Sequence, residues 1–303
     1  MRKESHMPNE IKWNDRFCIG VDTIDKAHQR LFMIVGKLLE LNEDSVKQRH
    51  ACREGIKYFN SYAMKHFADE EAYMKSINYP GYDVHKVLHD NLRTETLPAL
   101  EAELEEQGYS MESVRHFLGI CVGWLYAHIM REDYAITGKS SSKWTHPVSA
   151  DDTDSLSKTI IHTLESLCQS KSQIVTQHYN GEDFSSGKTL CYRLTYISKD
   201  KSQLQFYLVY EESLVLRTLS EILGQDIPRI DQTAIAAMKI LSEQFVHAIK
   251  DHFMIGKKFY LEKNDLMTFD QFVRTFDKEY PPYSLLFSAE GKGYCAFCAQ
   301  PQI

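Results

Sequence analysis

The chain has 303 residues, of which 43% are apolar and 25% are charged, so its length and composition predict about two domains with ordinary cores. Its formal net charge of −7 argues against nucleic acid or an anionic membrane as a partner, because both select basic surfaces. The N-terminus carries no apolar signal segment, and the most apolar run, residues 117–130, is shorter than the ~20 residues that span a bilayer, so we expect a cytoplasmic protein.

Residues 1–138 are predicted to form an all-α, up-down four-helix bundle. Four segments with helical periodicity are separated by short breaks that contain Asn, Pro, Gly or Ser. Short connections between long helices favour antiparallel neighbours. The predicted helices span residues 22–41, 45–77, 82–106 and 111–137.

A linker and a second domain are predicted to follow. Residues 139–155 are rich in Ser, Asp, Gly and Thr, a composition typical of a linker. Residues 156–303 alternate helical and β-rich segments, which predicts an α+β fold with an antiparallel sheet and long helices. The helices are predicted at 156–168, 213–224 and 231–253, and the strands at 173–179, 189–197, 204–211, 257–263, 283–290 and 293–300.

The seven cysteines are scattered along the chain, unlike a disulfide framework. Cys295 and Cys298 form a CxxC inside an apolar, strand-like run, with no second pair. We interpret them as partly buried strand cysteines, with zinc or redox chemistry as the less favoured alternative.

Histidines in the predicted bundle are spaced for metal binding. Residues i and i+4 of an α-helix lie about 40° apart and share a face. His66 with Glu70, and His85 with His89, have this spacing on consecutive helices. The first and fourth helices each supply one more histidine, His28 and His128.

The three acids that follow His66 are not equivalent on a helical projection. Glu70 and Met74 fall on the same side as His66, within about 80°. Asp69 and Glu71 flank that side, so both are expected to face solvent.

Spacing alone leaves the second carboxylate of the site open. Asp133 lies five residues after His128, a turn of about 140°, whereas Glu132 has the i+4 spacing. Imidazole suits iron, zinc and copper, and a carboxylate can bridge two cations. Such a ligand set can hold two iron ions with one position open for a small ligand such as O2, and zinc or manganese is the alternative.

Together these residues resemble the hemerythrin family, specifically its bacterial domains, over about residues 11–138. The family pattern is WxxxxxxGxxxxDxxH, then HxxxE, HxxxH and HxxxxD, and every ligand position is occupied. The matching residues are Trp13, Gly20, Asp25, His28, His66, Glu70, His85, His89, His128 and Asp133.

The resemblance implies a non-haem pair of iron ions, oxo- or hydroxo-bridged, that binds O2 reversibly. It implies that Glu70 and Asp133 bridge the ions, with Asp133 favoured over Glu132. His28 and His128 are expected to share one ion, and the three histidines of the second and third helices the other. The domain is then a binder with no classical catalytic base.

Four aromatic residues are expected to wall the site with apolar surface, and ordinary core packing explains them equally well. They are Phe32, Phe67, Trp124 and Tyr126.

The order of elements in residues 152–300 resembles the CheX-like and CheC-type chemotaxis phosphatases. In that family an acid and an asparagine, spaced ExxN on the long helix, act on a phosphorylated response regulator. Here Glu243 takes the acid position but Val246 takes that of the asparagine. Shifting the register by one residue gives Gln244 and His247 as an alternative pair with the same spacing, but we favour the interpretation that they are polar neighbours on an exposed helix face. Enzymatic activity is therefore uncertain, and its absence is favoured.

The leading hypothesis is an oxygen or redox sensor that passes its ligand state to a CheX-like signalling or dimerisation domain. Its expected partners are a response regulator or chemotaxis protein and a second copy, joined through the C-terminal domain by an edge strand such as residues 293–300. The alternatives are a response-regulator phosphatase controlled by the bundle, and O2 or iron storage and delivery.

Overall fold

The computed structural model describes residues 15–41, 46–139, 153–184, 188–276 and 281–302. The chain divides into two compact units, Met1–Ser142 with Ser220–Ile227, and Lys143–Leu219 with Pro228–Ile303. Trp13 and residues 140–152 of the predicted linker lie outside the described residues. The domain boundaries at 138 and 156 therefore remain predictions.

The first unit is the predicted up-down bundle. Helix α1 packs against α2 and α5, α2 packs against α3, and α4 packs against α5, so the helices close around one core. None of the described helices is long and apolar enough to cross a membrane. The helices are α1 (Asp22–Leu39), α2 (Val46–Ser76), α3 (Tyr82–Asn91), α4 (Leu97–Glu106), α5 (Met111–His128) and α6 (Tyr134–Ile136).

Wider turns interrupt the third and fourth predicted helices. Leu92–Thr96 joins α3 to α4, and Ile129–Asp133 joins α5 to α6, both with π-helical hydrogen bonding. Pro98 has no backbone N–H and its ring crowds the carbonyl of residue 94, which accounts for the first wide turn. The second wide turn contains no proline, and it ends at Asp133, one of the predicted ligands.

The second unit is an antiparallel sheet with helices, as the sequence predicts. The strand order is β1-β5-β6-β3-β2-β4. Helix α7 packs on β1 and β5, α9 packs on β2 and β4, and α10 packs on β2. The elements that follow the bundle in the chain are α7 (Thr153–Cys168), β1 (Ser172–Thr176), β2 (Thr189–Ser198), β3 (Gln203–Glu211), α8 (Glu212–Leu223, grouped with the second unit only up to Leu219), α9 (Gln232–Ala248), β4 (Phe259–Met267), α10 (Phe269–Phe276), β5 (Tyr283–Ala289) and β6 (Gly293–Gln302).

The final strand is not an edge strand, so that prediction is wrong. Strand β6 lies between β5 and β3, and residues 295–299 are at most 3% exposed. A continuous apolar run of this kind needs cover on both faces and a neighbour on both sides. The sheet edges are β1 and β4.

The two cysteines of the CxxC lie in strand β6 and are not disulfide-bonded, and both are fully buried where the sequence predicted partial burial. Residues three apart in a strand point to opposite faces, so Cys295 and Cys298 cannot meet at one ion. Burial raises the pKa of both thiols, that of Cys298 to about 12.

Helix α10 was not predicted from the sequence. Thr268 caps its first turn by accepting the N–H of Gln271 at 3.2 Å, and the Gln271 side chain accepts the N–H of Thr268 at 2.9 Å. This reciprocal cap is the sequence signal that could have found the helix.

Candidate metal centre

The bundle brings all seven predicted ligand residues together in its core. Each is at most 4% exposed, because the i,i+4 spacing keeps each pair on the inward face of its helix. The residues are His28 on α1, His66 and Glu70 on α2, His85 and His89 on α3, His128 at the end of α5 and Asp133 at the end of the second wide turn.

The five imidazoles form two groups. The rings of His28 and His66 are 4.7 Å apart. The rings of His85, His89 and His128 lie 4.6 to 4.8 Å from one another. This grouping differs from the expected one, in which His28 and His128 are together. Spacing along single helices does not specify which neighbouring helix each ring approaches, and helix packing decides it.

Asp133 lies between the two groups of imidazoles. Its Oδ1 is 3.0 Å from His128 Nε2 and 3.4 Å from His85 Nε2, and its Oδ2 is 3.2 Å from His28 Nε2. The π turn adds about one residue per turn, so position i+5 returns to the face of His128. Glu132, the alternative, is only half-buried. The structure therefore places Asp133, and not Glu132, among the imidazoles, and its role as a metal ligand stays a prediction.

Glu70 also reaches both groups. Its Oε2 is 3.3 Å from His89 Nε2 and 3.8 Å from the Nε2 atoms of both His66 and His85. Two sets of potential ligand atoms, each within 4.8 Å, share this residue: Glu70 with His85, His89 and His128, and Glu70 with His28 and Asp133. A carboxylate common to both sets suits two neighbouring cations, because its oxygens can bridge them.

Burial and neighbouring charge set the protonation of the cage. Burial raises the pKa of Glu70, and the carboxylate of Asp133 raises it further. Burial also acts to raise the pKa of Asp133, but the facing imidazoles of His128 and His28 together outweigh it and hold that pKa well below its usual range. Burial lowers the pKa of His66 and His89, so both rings are neutral at pH 7 and keep a lone pair for a metal.

The cage leaves polar atoms without protein partners. Both ring nitrogens of His28, His66 and His85, and both oxygens of Glu70 and Asp133, are buried and accept or donate no hydrogen bond among the described residues. Buried polar atoms normally find partners, because leaving them unpaired costs free energy. So many orphaned nitrogen and oxygen atoms in one place fit a bound cation.

The spacing of His89 and His128 also fits a shared ion. Their Nε2 atoms are 2.9 Å apart. Two nitrogen ligands about 2.1 Å from one metal ion and at right angles to each other lie about 3.0 Å apart. The donor set of imidazole and carboxylate suits iron, zinc or manganese.

Aromatic side chains cover the group of three imidazoles. Phe67 stacks on His89 with ring centroids 4.2 Å apart, and Trp124 stacks on His128 at 4.3 Å. Two of the four predicted wall residues, Phe67 and Trp124, therefore lie against imidazole rings of the cage. The other two pack around Phe17 in the bundle core: they are Phe32 and Tyr126.

One of the acids of α2 is placed differently from the prediction. Asp69 is exposed as expected, but the side chain of Glu71 is only 13% exposed and its Oε1 lies 3.1 Å from His89 Nδ1. The expectation that Glu71 faces solvent is wrong. No signal within α2 could have found this contact, since His89 belongs to another helix.

The loop before α1 is hydrogen-bonded to the residues that follow α6. Asp25 accepts the N–H groups of Ile19 at 2.6 Å and Gly20 at 3.1 Å. Thr137 Oγ1 donates to the Ile19 carbonyl at 2.9 Å, and Lys139 Nζ donates to the Cys18 carbonyl at 2.9 Å. Gly20 has φ +93°, a conformation that favours glycine. These contacts explain two of the pattern residues that are not ligands.

The candidate catalytic residues of the second unit do not form the expected pair. Val246 is fully buried and offers no polar group. Glu243 is half-buried, burial raises its pKa, and its Oε1 accepts from Asn264 Nδ2 on β4 at 2.9 Å. Gln244 is half-buried and His247 is exposed on α9. The sequence did not indicate Asn264, which comes from a different element.

Residues 19–139 match the family model of the hemerythrin HHE cation binding domain. A bacteriohemerythrin of Clostridium acetobutylicum is 33% identical over 125 residues, which cover 40% of this chain and 94% of that protein. A myohemerythrin of Theromyzon tessulatum is 29% identical over 133 residues, 44% of this chain and 96% of that protein.

Two solved structures are similar to about half of the chain. Chemotaxis protein CheX from Vibrio vulnificus has 7% identity and a TM-score of 0.36, covering 49% of this chain and 95% of that one. A CheC-like superfamily protein from Shewanella sp. PV-4 has 10% identity and a TM-score of 0.34, covering 48% and 96%.

Proposed function

We propose, from the premise that the chain belongs to the hemerythrin family, that its bundle holds two iron ions, binds O2 reversibly and acts as an oxygen or redox sensor. The observation that carries this proposal is the pair of imidazole groups with two carboxylates between them. Their orphaned buried atoms support a cation, and the two sets that share Glu70 support two ions.

Each ligand residue has a proposed place in this centre. His85, His89 and His128 would hold one ion and His28 and His66 the other, with both carboxylates bridging. The bound pair of iron ions supplies the open coordination position and the electrons for reversible O2 binding. The stacked rings of Phe67 and Trp124 exclude water from that side of the cage.

Metal content tests the ligand assignment. Wild-type protein reconstituted anaerobically with Fe²⁺ should retain two iron ions per chain after desalting. His28→Ala should lower that number, whereas His50→Ala should not, because His50 is exposed on α2. Equal iron content in the two variants would remove His28 from the site. A wild-type preference for zinc or manganese over iron would replace the proposed metal.

The sensor role is supported by the position of Asp133. This inward carboxylate lies four residues before Thr137, and Thr137 and Lys139 are bonded to the loop at residues 18–20. A ligand change that moves Asp133 would be transmitted to the end of the bundle next to the predicted linker. Identical solution scattering and identical partner binding in the di-ferrous and O2-bound forms would contradict the sensor role.

For the second unit, we propose a role in passing the signal to a response regulator or another chemotaxis protein in the cytoplasm, with dimerisation through the same unit. The burial of Val246 disfavours the phosphatase alternative, because an apolar side chain cannot orient water. The phosphatase alternative would be supported if the wild-type protein released phosphate from a phosphorylated regulator and the Glu243→Ala variant did not. Failure to capture any signalling partner would instead favour O2 or iron storage.

A further inference from the structure

A chain of charged side chains leads from the bundle surface to one ring of the cage. Arg93 Nη2 donates to Glu71 Oε1 at 2.8 Å, and the same oxygen lies 3.1 Å from His89 Nδ1. The exposed fraction falls from 28% at Arg93 to 13% at Glu71 and 0% at His89. Arg93 Nη1 also donates to Asp90 at 2.9 Å, which fixes the guanidinium.

These contacts determine which nitrogen of His89 carries the proton. A guanidinium only donates hydrogen bonds, so its partner oxygen on Glu71 acts as an acceptor. The ring must then donate from Nδ1, and a neutral imidazole has only one N–H, so Nε2 keeps its lone pair. Nε2 is the atom that faces the cage, 3.3 Å from Glu70 Oε2.

We infer that Glu71 is a positioning residue that holds His89 in the Nδ1–H tautomer with Nε2 ready to bind a metal ion, and that Arg93 holds Glu71 in place. The value of this arrangement for metal binding rests on the proposed function. The carboxylate acts through the imidazole and touches no ion. A partner of this kind fixes ring orientation and strengthens the imidazole as a ligand.

His89 differs in this respect from other rings of the cage. The Nδ1 atoms of His28, His66 and His85 have no hydrogen-bond partner in the described part of the chain. Phe67 adds a second restraint on His89, since it stacks on that ring at 4.2 Å, whereas its ring is tilted against that of His66 at 5.6 Å. His89 is therefore oriented before any ion arrives.

Glu71→Ala and Asp69→Ala form a matched pair for the test. Both remove one acid from the same stretch of α2, but Asp69 is exposed and has no contact with His89 in the structure. The first measurement is made on metal-free full-length protein by long-range ¹H–¹⁵N NMR of the histidine rings. Wild type and Asp69→Ala should show His89 protonated at Nδ1, and Glu71→Ala should lose that preference. Glu71→Gln should restore it, because the amide oxygen still accepts.

The second measurement is the affinity for Fe²⁺, from anaerobic competition with a chelator. Loss of such a partner lowers metal affinity by about 10–100-fold, so Glu71→Ala should bind iron that much more weakly, Asp69→Ala should match wild type, and Glu71→Gln should lie between. Either an unchanged His89 tautomer in Glu71→Ala, or an affinity change no larger than that of Asp69→Ala, overturns the inference. If wild type binds no Fe²⁺, the proposed function fails while the NMR result still decides the role of Glu71.

Discussion

Replacing Asp25 with alanine is expected to loosen the loop at residues 18–20. The N–H of Ile19, 2.6 Å from the carboxylate, belongs to a fully buried residue. It would lose its partner without gaining water, which costs about 1–3 kcal/mol. Gly20 is exposed, so its N–H can donate to water in the variant, and the loss of its hydrogen bond to Asp25 adds about 0.5 kcal/mol. At the Ile19 amide itself the expected loss is about 2 kcal/mol, the middle of the range for its own hydrogen bond.

Amide hydrogen exchange measures this loss at the loop itself. A change of about 1.4 kcal/mol alters an equilibrium tenfold, so the Ile19 amide should exchange about 30-fold faster in Asp25→Ala than in wild type. Asp22→Ala is the control, because Asp22 lies in the same turn but is exposed and pairs only with Lys26 among the described ion pairs. Equal Ile19 exchange in the two variants would refute the reasoning.

Three further outcomes are expected. Asp133→Asn should lower the iron content per chain, while Glu132→Gln should leave it unchanged; elemental analysis compares them, and equal losses would contradict the role of the π turn. Burial lowers the pKa of His66, so the unfolded chain binds its proton first and stability falls as the pH drops below about 6.5. In metal-free Glu70→Gln, which removes the opposing carboxyl titration, urea unfolding should show a slope of up to about 1.4 kcal/mol per pH unit for each of His66 and His89, since burial lowers the pKa of both, and a flat profile would argue against neutral burial. Thr268→Ala should destabilise α10 by about 1 kcal/mol, seen as faster amide exchange confined to that helix, and unchanged exchange would mean that the cap contributes nothing.

Much of the bundle could be predicted because its signals are local. The periodicity of apolar residues places each long helix to within two residues of its observed ends, and the i,i+4 spacing of His66 with Glu70 and of His85 with His89 puts each pair on one face. The i,i+5 spacing of His128 and Asp133 conflicts with a regular α-helix. That conflict marks the place where the helix widens.

The remaining features depend on tertiary packing. The grouping of the imidazoles and the contact between Glu71 and His89 both join residues of different helices, so no single-helix projection contains them. Strand order has the same character, because β6 pairs with β3 and β5 through connections that the sequence does not encode locally. Asn264 beside Glu243 is a third case, since a strand supplies the partner of a helical side chain.

The optical spectrum of the iron-loaded protein during exposure to O2 tests the central proposal most directly. Full-length protein reconstituted anaerobically with Fe²⁺ should be colourless, develop a ligand-to-metal charge-transfer band when O2 is admitted, and lose the band when O2 is removed. The same titration on Asp133→Asn should give no reversible band. A wild-type protein that holds no iron, or whose spectrum does not respond to O2, would contradict the account.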